Sequence, residues 1–386
     1  MASVAAAVAA TERDPRAGHA SRIIAAALAL PGAVAAQTEP GSGLIAFRWL
    51  EYRDSQPGFD RIRVRAPSLA LQLPVGNDWG IEATSTADSV SGASPRWHSA
   101  ISSASRMEDR RLAGDVKLTR YLERSAWSLG VASSDEDDFA SKALSIGGRL
   151  NSEDNNRSWT FGVAATRDQI GSSDNPLLDE RRRTWEATVG VTQAWTRRDL
   201  VQITLTRAQG RGFYSDPYKR IDRRPRERDQ TIFTLRWNHH LDSPDLTLRT
   251  HYRSYVDTWA VRSHTLAFEG VWQATSRVAL TPSVRLYSQS AARFYYDPVY
   301  SFLGAPLPPG FQESPPAVLS PDHRLSAFGA ATLGFKVAAS LGSAWTMELK
   351  VERYEQRGSW RIGGAGSPGL APFSARFAQW GLARTF

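Results

Sequence analysis

The feature that most constrains this fold is an alternation of apolar and polar residues, repeated along most of the 386-residue chain. Successive segments carry an apolar residue at every second position, in runs of about 10 to 14 residues, which suits tilted strands that cross a membrane. The first run places Ile45, Phe47 and Trp49 on one face. These runs predict an all-β fold, a transmembrane antiparallel β-barrel of about 16 strands, and an even count suits a bacterial single-chain barrel.

The second run changes phase at Pro67. Ile62 and Val64 alternate with arginines before the proline, whereas Leu69 and Leu71 occupy the other phase beyond it. Proline cannot donate a hydrogen bond to a sheet, so this change predicts a bulge or the rim of the membrane near Pro67.

The connections between the predicted strands alternate between short and long. The short ones are residues 76–78, 123–124, 151–156, 196–199, 242–245, 275–277 and 342–344. The long ones include residues 91–110, 169–181, 209–229, 291–322 and 358–372. This asymmetry is typical of an outer-membrane barrel, with short periplasmic turns and long outer loops, and a soluble β-sandwich gives no reason for it.

Aromatic residues support the same architecture. Several of the 13 tryptophans lie within a few residues of a predicted short turn, as expected of an aromatic girdle at the membrane interface: Trp79, Trp127, Trp159, Trp195, Trp272 and Trp345. The chain also ends on a strand-like stretch whose last residue is Phe386. This ending resembles the signal that the barrel-assembly machinery recognises, which predicts that machinery as a partner.

The longest apolar run, residues 23–36, is too short for a spanning helix and suits a signal peptide. Arg22 precedes the run, and Val34, Ala35 and Ala36 fit the small-residue cleavage rule. The sequence therefore predicts a signal peptide at residues 1–36, a barrel at residues 37–386, and export through the Sec pathway to the cell outer membrane. An Ala-rich amphipathic helix is the alternative for the first segment.

Composition excludes several classes of protein. The chain has no cysteine, which excludes a disulfide scaffold, a lipid-anchored lipoprotein and cysteine-ligated metal sites. Its mean hydropathy of −0.38 is low, yet a barrel also has a low value because only alternate residues meet lipid. An exported chain without a nucleic-acid-binding motif predicts no nucleic-acid partner.

No pattern of catalytic or metal-binding residues emerges, so we predict neither an enzyme nor a cofactor. Only seven histidines occur, and no Ser–His spacing resembles that of an outer-membrane phospholipase. Residues 135–138 are acidic but lack the spacing of a calcium loop. His239 and His240 are adjacent in a predicted strand and must face opposite sides, which makes the pair a poor chelate.

The predicted inward face is polar and of mixed sign. Its charges could form cross-strand ion pairs that hold the wall, or they could line a path for solutes. A barrel of this size is wide enough for an aqueous channel unless loops or a plug fill it. The lumen candidates are Arg236, Arg249, Arg253, Arg285, Glu348 and Lys350.

Two predicted outer loops contain the motif F-Y-x-D-P, at residues 213–217 and 294–298, each just after an arginine. Proline holds the preceding aspartate extended, so each copy should be a stiff element at the mouth. The copies could be packing corners, or they could narrow a pore. The pore or ligand candidates are Arg211, Phe213, Tyr214, Asp216, Tyr218, Lys219, Arg293, Phe294, Tyr295 and Asp297. The basic run at residues 219–228 could bind anionic lipopolysaccharide, concentrate an anionic solute, or be a solvated loop.

Seven stretches resemble the family called domain of unknown function 3570. They are E-Y-R-D-S-Q-P-G at residues 51–58 and the segments at residues 91–96, 179–184, 215–219, 236–240, 288–295 and 366–373. The resemblance implies an outer-membrane barrel of uncharacterised role, set in outer-membrane lipid, with periplasmic redox or flavin-transfer proteins as partners. It supplies no catalytic residues.

The function expected from these features is a channel or transporter for small, anionic solutes. The alternative is a membrane-anchored structural or interaction protein of an exported redox or flavin-related system, with a blocked lumen.

Overall fold

The computed structural model describes residues 41–57, 59–92, 107–219, 221–297 and 317–386. The predicted signal peptide lies outside these ranges. Within them, no helix is long and apolar enough to cross a membrane.

Sixteen antiparallel strands form one closed barrel, in which each strand pairs with its neighbours in sequence and β16 pairs with β1. The strands are β1 Leu44–Gln56, β2 Phe59–Val75, β3 Trp79–Gly92, β4 Met107–Leu122, β5 Ser125–Asp135, β6 Phe139–Asn151, β7 Arg157–Ile170, β8 Glu180–Ala194, β9 Asp199–Gly212, β10 Glu227–Leu241, β11 Leu246–Asp257, β12 Arg262–Thr275, β13 Val278–Gln289, β14 Phe328–Leu341, β15 Trp345–Arg357 and β16 Phe373–Thr385. Short 3-10 turns span His323–Leu325 and Gly358–Trp360. The predicted fold class and strand count are confirmed.

Alternation sorts the side chains between the two faces of the wall. On β15, Leu349 points outward and is 47% exposed, whereas the side chain of Lys350 points into the barrel and is 13% exposed. Leu129 and Val131 on β5 are also half exposed on the outer face. A continuous apolar outer surface around a closed polar-lined wall is the architecture of an outer-membrane barrel.

The two ends of the barrel differ, as the sequence predicted. At the end we call the turn end, strands are joined by residues 76–78, 123–124, 152–156, 195–198, 242–245, 276–277 and 342–344. At the opposite end, the loop end, the connections include residues 171–179, 213–226, 290–327 and 358–372. The six tryptophans predicted to form a girdle all lie near the turn end, with exposures from 38% for Trp79 to 70% for Trp195.

The phase change near Pro67 is not a bulge. The pairing of β2 with β1 and β3 keeps one register past this residue, and the shift in register lies on β1 between Arg53 and Ser55. Ile62 and Val64 face inward, where they pack against a buried cluster around Tyr52. The wall therefore keeps its phase, and the apolar face changes sides because the barrel is filled near the loop end.

The last strand closes the barrel. Trp380 on β16 lies opposite Trp49 on β1, and the Phe47 and Trp380 rings are 5.4 Å apart on the outer face. Beyond the strand, the Phe386 amide donates to the Gly43 carbonyl at 2.9 Å, and the Gly43 amide donates back at 2.7 Å. The strand-like stretch at the end of the chain is therefore a strand, and it closes the barrel by pairing with β1.

Candidate functional site

The register places all six lumen candidates on the inner face. Arg236 on β10 lies directly opposite His251 on β11, and the same level continues through Ala267 to Arg285 on β13. Directly opposed residues share one face of a sheet. Arg249 and Arg253 lie two residues from His251 and so face inward as well, and Glu348 and Lys350 share the inner face of β15.

Charge is distributed unevenly around the lumen. On β14 and β15, cations meet carboxylates, with Lys350 2.7 Å from Glu352 and Lys336 3.7 Å from Glu348. On β3 and β4, a further pair joins Lys117 and Glu82 at 2.7 Å. These pairs agree with the expectation that inward charges hold the wall.

The wall formed by β10 to β13 is different, and we call it the basic wall. Below the mouth it carries Arg236, Arg249, Arg253 and Arg285 on its inner face, with Glu269 as its inward carboxylate among the described residues. Arg236 donates to Gln202 at 3.3 Å and remains exposed although it faces inward. The lumen beside the basic wall is therefore accessible to water.

At the loop end, aromatic residues join the two F-Y-x-D-P copies. Tyr214 of the first copy and Phe294 of the second pack edge-on against Trp259, with ring centroids 5.3 and 5.2 Å apart. Trp259 is fully buried, and the guanidinium of Arg228 lies 4.1 Å from its ring centre. The Tyr214 hydroxyl occupies the space that a Cβ would need at Gly210, on the inner face of β9. The first copy is thus folded into the barrel.

A chain of alternating charges ties the same loops together, and we call it the ionic network. Asp322 lies at its centre, within 2.5 Å of Arg224 and 2.7 Å of the Arg324 Nε. Arg224 also pairs with Asp222 at 2.7 Å, and Arg324 with Asp216 at 2.6 Å. All five side chains are at most 8% exposed.

The ionic network is balanced in charge. Three carboxylates face Arg224, Arg324 and the buried Lys219, whose charge also acts on Asp322. Burial opposes ionisation of Asp322, but Arg324, Lys219 and Arg224 outweigh it and hold the pKa of this carboxyl well below its usual range. Asp322 is therefore ionised at neutral pH, and the loops from residue 213 and residue 319 are joined by buried ion pairs.

A second set of residues, not predicted from the sequence, anchors these loops to the wall. A tyrosine near the loop end of a strand donates to the side chain two residues later, at 2.6 to 2.8 Å, in the pairs Tyr52–Asp54, Tyr255–Asp257, Tyr287–Gln289 and Tyr354–Gln356. Asp257 then accepts from the amides of Trp259 and Val261, and Gln289 donates to the Ser326 carbonyl. The sequence signal for these anchors is a recurring Y-x-D or Y-x-Q at the loop end of strands that run from the turn end to the loop end.

The remaining candidates at the mouth are Tyr218, Tyr295, Asp297 and Phe213. Tyr218 bonds Asp138 and accepts from the Ser173 amide at 2.8 Å, so it joins three loops. Tyr295 donates to Asp297 at 3.1 Å, and Asp297 accepts from the Gly369 amide at 2.8 Å. Phe213 is half-buried in the first copy.

Arg211 and Arg293 do not flank a constriction together. Arg211 faces the outside of the wall, where it pairs with Asp229 at 2.7 Å and is 49% exposed. Arg293 is exposed at the mouth, and its backbone amide donates to the Trp259 carbonyl. The prediction of Arg211 as a pore residue is corrected, because alternation along β9 turns its side chain to the outer face.

The histidine pair faces opposite sides, as predicted. His239 lies on the outer face 2.8 Å from Asp199, and His240 lies inside beside Thr247 at 3.1 Å. Among the described residues, no group of three or more histidine, aspartate or glutamate side chains is arranged to hold a metal ion.

The chain matches the family described as Protein of unknown function (DUF3570) over residues 20–108, 102–180 and 173–377. No curated protein sequence matches it.

Three solved structures have a similar arrangement. The siderophore receptor PirA from Pseudomonas aeruginosa is 8% identical, with a TM-score of 0.45 over 83% of this chain and 57% of the receptor. A bacterial polysaccharide outer membrane secretin is 8% identical, with a TM-score of 0.49 over 89% and 98% of the two chains. CdiB from Acinetobacter baumannii is 8% identical, with a TM-score of 0.48 over 87% and 60%. The chain thus spans little more than half the length of the siderophore receptor.

Proposed function

Because the chain belongs to the family described as Protein of unknown function (DUF3570), whose description assigns no activity, we propose a function from the barrel itself. The protein is a channel of the cell outer membrane that passes small anionic solutes. Its turn end faces the periplasm and its loop end faces outward, as in bacterial barrels with short turns and long loops.

The basic wall is the observation that carries this proposal. Four arginines and one glutamate on β10 to β13 give the wetted lumen a net positive wall. A low-dielectric wall around water concentrates the field of such charges, which attracts anions and repels cations.

The size limit comes from the loop end. The aromatic cluster around Trp259 and the ionic network occupy the outer part of the lumen and narrow the path. This packing supports passage of small solutes rather than large ones.

Ion selectivity tests the proposal. In planar bilayers, purified protein is expected to show discrete conductance with a preference for chloride over potassium. Replacing both Arg236 and Arg285 with glutamine should lower that preference several-fold, because two of the four arginines of the basic wall lose their charge. The matched control is Arg211→Gln on the outer face, which should leave selectivity unchanged.

Two outcomes of that recording would contradict the proposal. Equal shifts in ion selectivity in the lumen variant and in Arg211→Gln would show that the basic wall does not set the selectivity. A silent wild-type protein would favour the alternative, an anchored interaction protein of a periplasmic redox or flavin-transfer system. That alternative is supported by the same buried loop packing around Asp322, because ion pairs of this kind hold the loops in place at the loop end.

Membrane insertion is tested separately from conduction. Folded protein from the outer-membrane fraction should migrate differently on a denaturing gel before and after boiling, since closed barrels resist unfolding by the detergent.

Deleting Phe386 should lower the yield of folded protein in cells, because we propose that the barrel-assembly machinery recognises the last strand. Recovery of wild-type protein in the soluble periplasmic fraction, with equal migration, would contradict the location.

A further inference from the structure

The outer surface of the barrel carries four cations in direct register, which we call the outer cation row. Lys142 on β6 lies opposite Arg167 on β7, which lies opposite Arg183 on β8, which lies opposite Arg211 on β9. All four are exposed. Directly opposed side chains lie about 5 Å apart between Cβ atoms, and like charges at that distance destabilise a sheet. The row therefore needs anions to offset its charge.

The chain supplies little of that negative charge. Arg211 pairs with Asp229, but within the described ranges Lys142, Arg167 and Arg183 have neither an ion pair nor a side-chain hydrogen bond. Exposed arginine side chains in such a row present several N–H donors to the solvent or lipid beside the same stretch of the outer wall.

A second row on the same outer face shows how the chain can neutralise itself. Arg353, Arg376, Arg53 and Arg63 are likewise opposed across β15, β16, β1 and β2. There Glu51 lies 2.7 Å from Arg53 and 2.5 Å from Arg63. Glu355 lies 2.8 Å from Arg353. Lys142, Arg167 and Arg183 of the outer cation row have no equivalent of Glu51 among the described residues.

The level of the outer cation row fits the boundary of a membrane. Two residues closer to the turn end on each strand, the same face carries Leu144 and Trp185, which are 50% and 61% exposed. A further step brings Ile146 and Val163, each more than half exposed. An exposed tryptophan above an apolar band marks the interface, so the cations lie at the level of lipid headgroups.

We propose that Lys142, Arg167 and Arg183 form a binding site for the phosphate groups of an outer-leaflet glycolipid, lipopolysaccharide. Guanidinium groups bind phosphate oxygens in a bidentate manner, and strands spaced about 4.8 Å apart put three cations within about 10 Å. The acyl chains of the lipid then lie along Leu144, Ile146 and Val163. The inference rests on the proposed outer-membrane location and is independent of conduction.

The test compares two triple variants of the full-length protein purified in detergent. One carries Lys142→Gln, Arg167→Gln and Arg183→Gln, and the matched control carries Arg53→Gln, Arg63→Gln and Arg376→Gln in the self-neutralised row. Binding of purified lipopolysaccharide is measured by native mass spectrometry, beside the same lipid with its phosphates removed. The first variant should bind lipopolysaccharide roughly a hundred-fold more weakly, since each cation near an anionic surface contributes about a five-fold factor.

The control variant should retain binding to within a few-fold, and the dephosphorylated lipid should bind wild type as weakly as lipopolysaccharide binds the first variant. Equal losses in the two triple variants would overturn the site, as would equal binding of the two lipids. Gel migration before and after boiling confirms that each variant is a folded barrel. If that migration test fails for wild type, the proposed location has failed, whereas a folded barrel without phosphate-dependent binding rejects this inference alone.

Discussion

Replacing Asp322 with alanine is expected to free the two loops that the ionic network joins. The substitution leaves Arg224 and Arg324 buried without their shared carboxylate, and removing one partner of a buried ion pair costs about 3 to 5 kcal/mol. In hydrogen–deuterium exchange, peptides covering residues 213–226 and 319–327 should then exchange roughly a hundred- to several thousand-fold faster, at 1.36 kcal/mol per factor of ten. The proposed channel should also conduct more in this variant.

The matched control for this prediction is Asp242→Ala at the turn end. Asp242 pairs with Arg198, but the two side chains are 60% and 58% exposed. An exposed pair contributes at most about 1 kcal/mol, so exchange in the loops should be unchanged. If Asp322→Ala left exchange in both loops as slow as in wild type, the ionic network would not be what holds them.

The wall could be predicted from the sequence because lipid outside and water inside impose one rule on every strand. That rule gives the strand count, the two unequal ends and the inward placement of Arg236 and Lys350. The same rule gave a wrong prediction of a bulge near Pro67. Loops fill the barrel near the mouth, and there the inner positions Ile62 and Val64 are apolar. A two-residue hydrophobic period does not distinguish a leucine that faces lipid from a leucine that faces a packed loop inside the barrel.

The mouth could not be predicted, because its contacts join residues that are distant in sequence. Asp216 meets Arg324 across 108 residues, and nothing in the F-Y-x-D-P motif identifies this partner. Trp259 connects the two motif copies from a third loop that is only four residues long, at residues 258–261. The placement of Arg211 needed the register of β9, since a shift of one residue would have turned it inward.

Replacing Leu349 with arginine is expected to cost about 2 to 4 kcal/mol of folding free energy, the range for a cation at the midplane of a barrel. Leu349 lies midway on its strand between Trp345 at the turn-end girdle and Arg353, the first exposed cation toward the loop end. Four residues of tilted strand on each side amount to about 10 Å, which places Leu349 near the centre of the apolar band. Glu348→Ala is the control, since its side chain is on the inner face, is 35% exposed and lies 3.7 Å from Lys336, so its loss should cost at most about 1 kcal/mol. Urea unfolding in lipid vesicles measures both, and equal costs for the two variants would mean that the register of β15 is reversed.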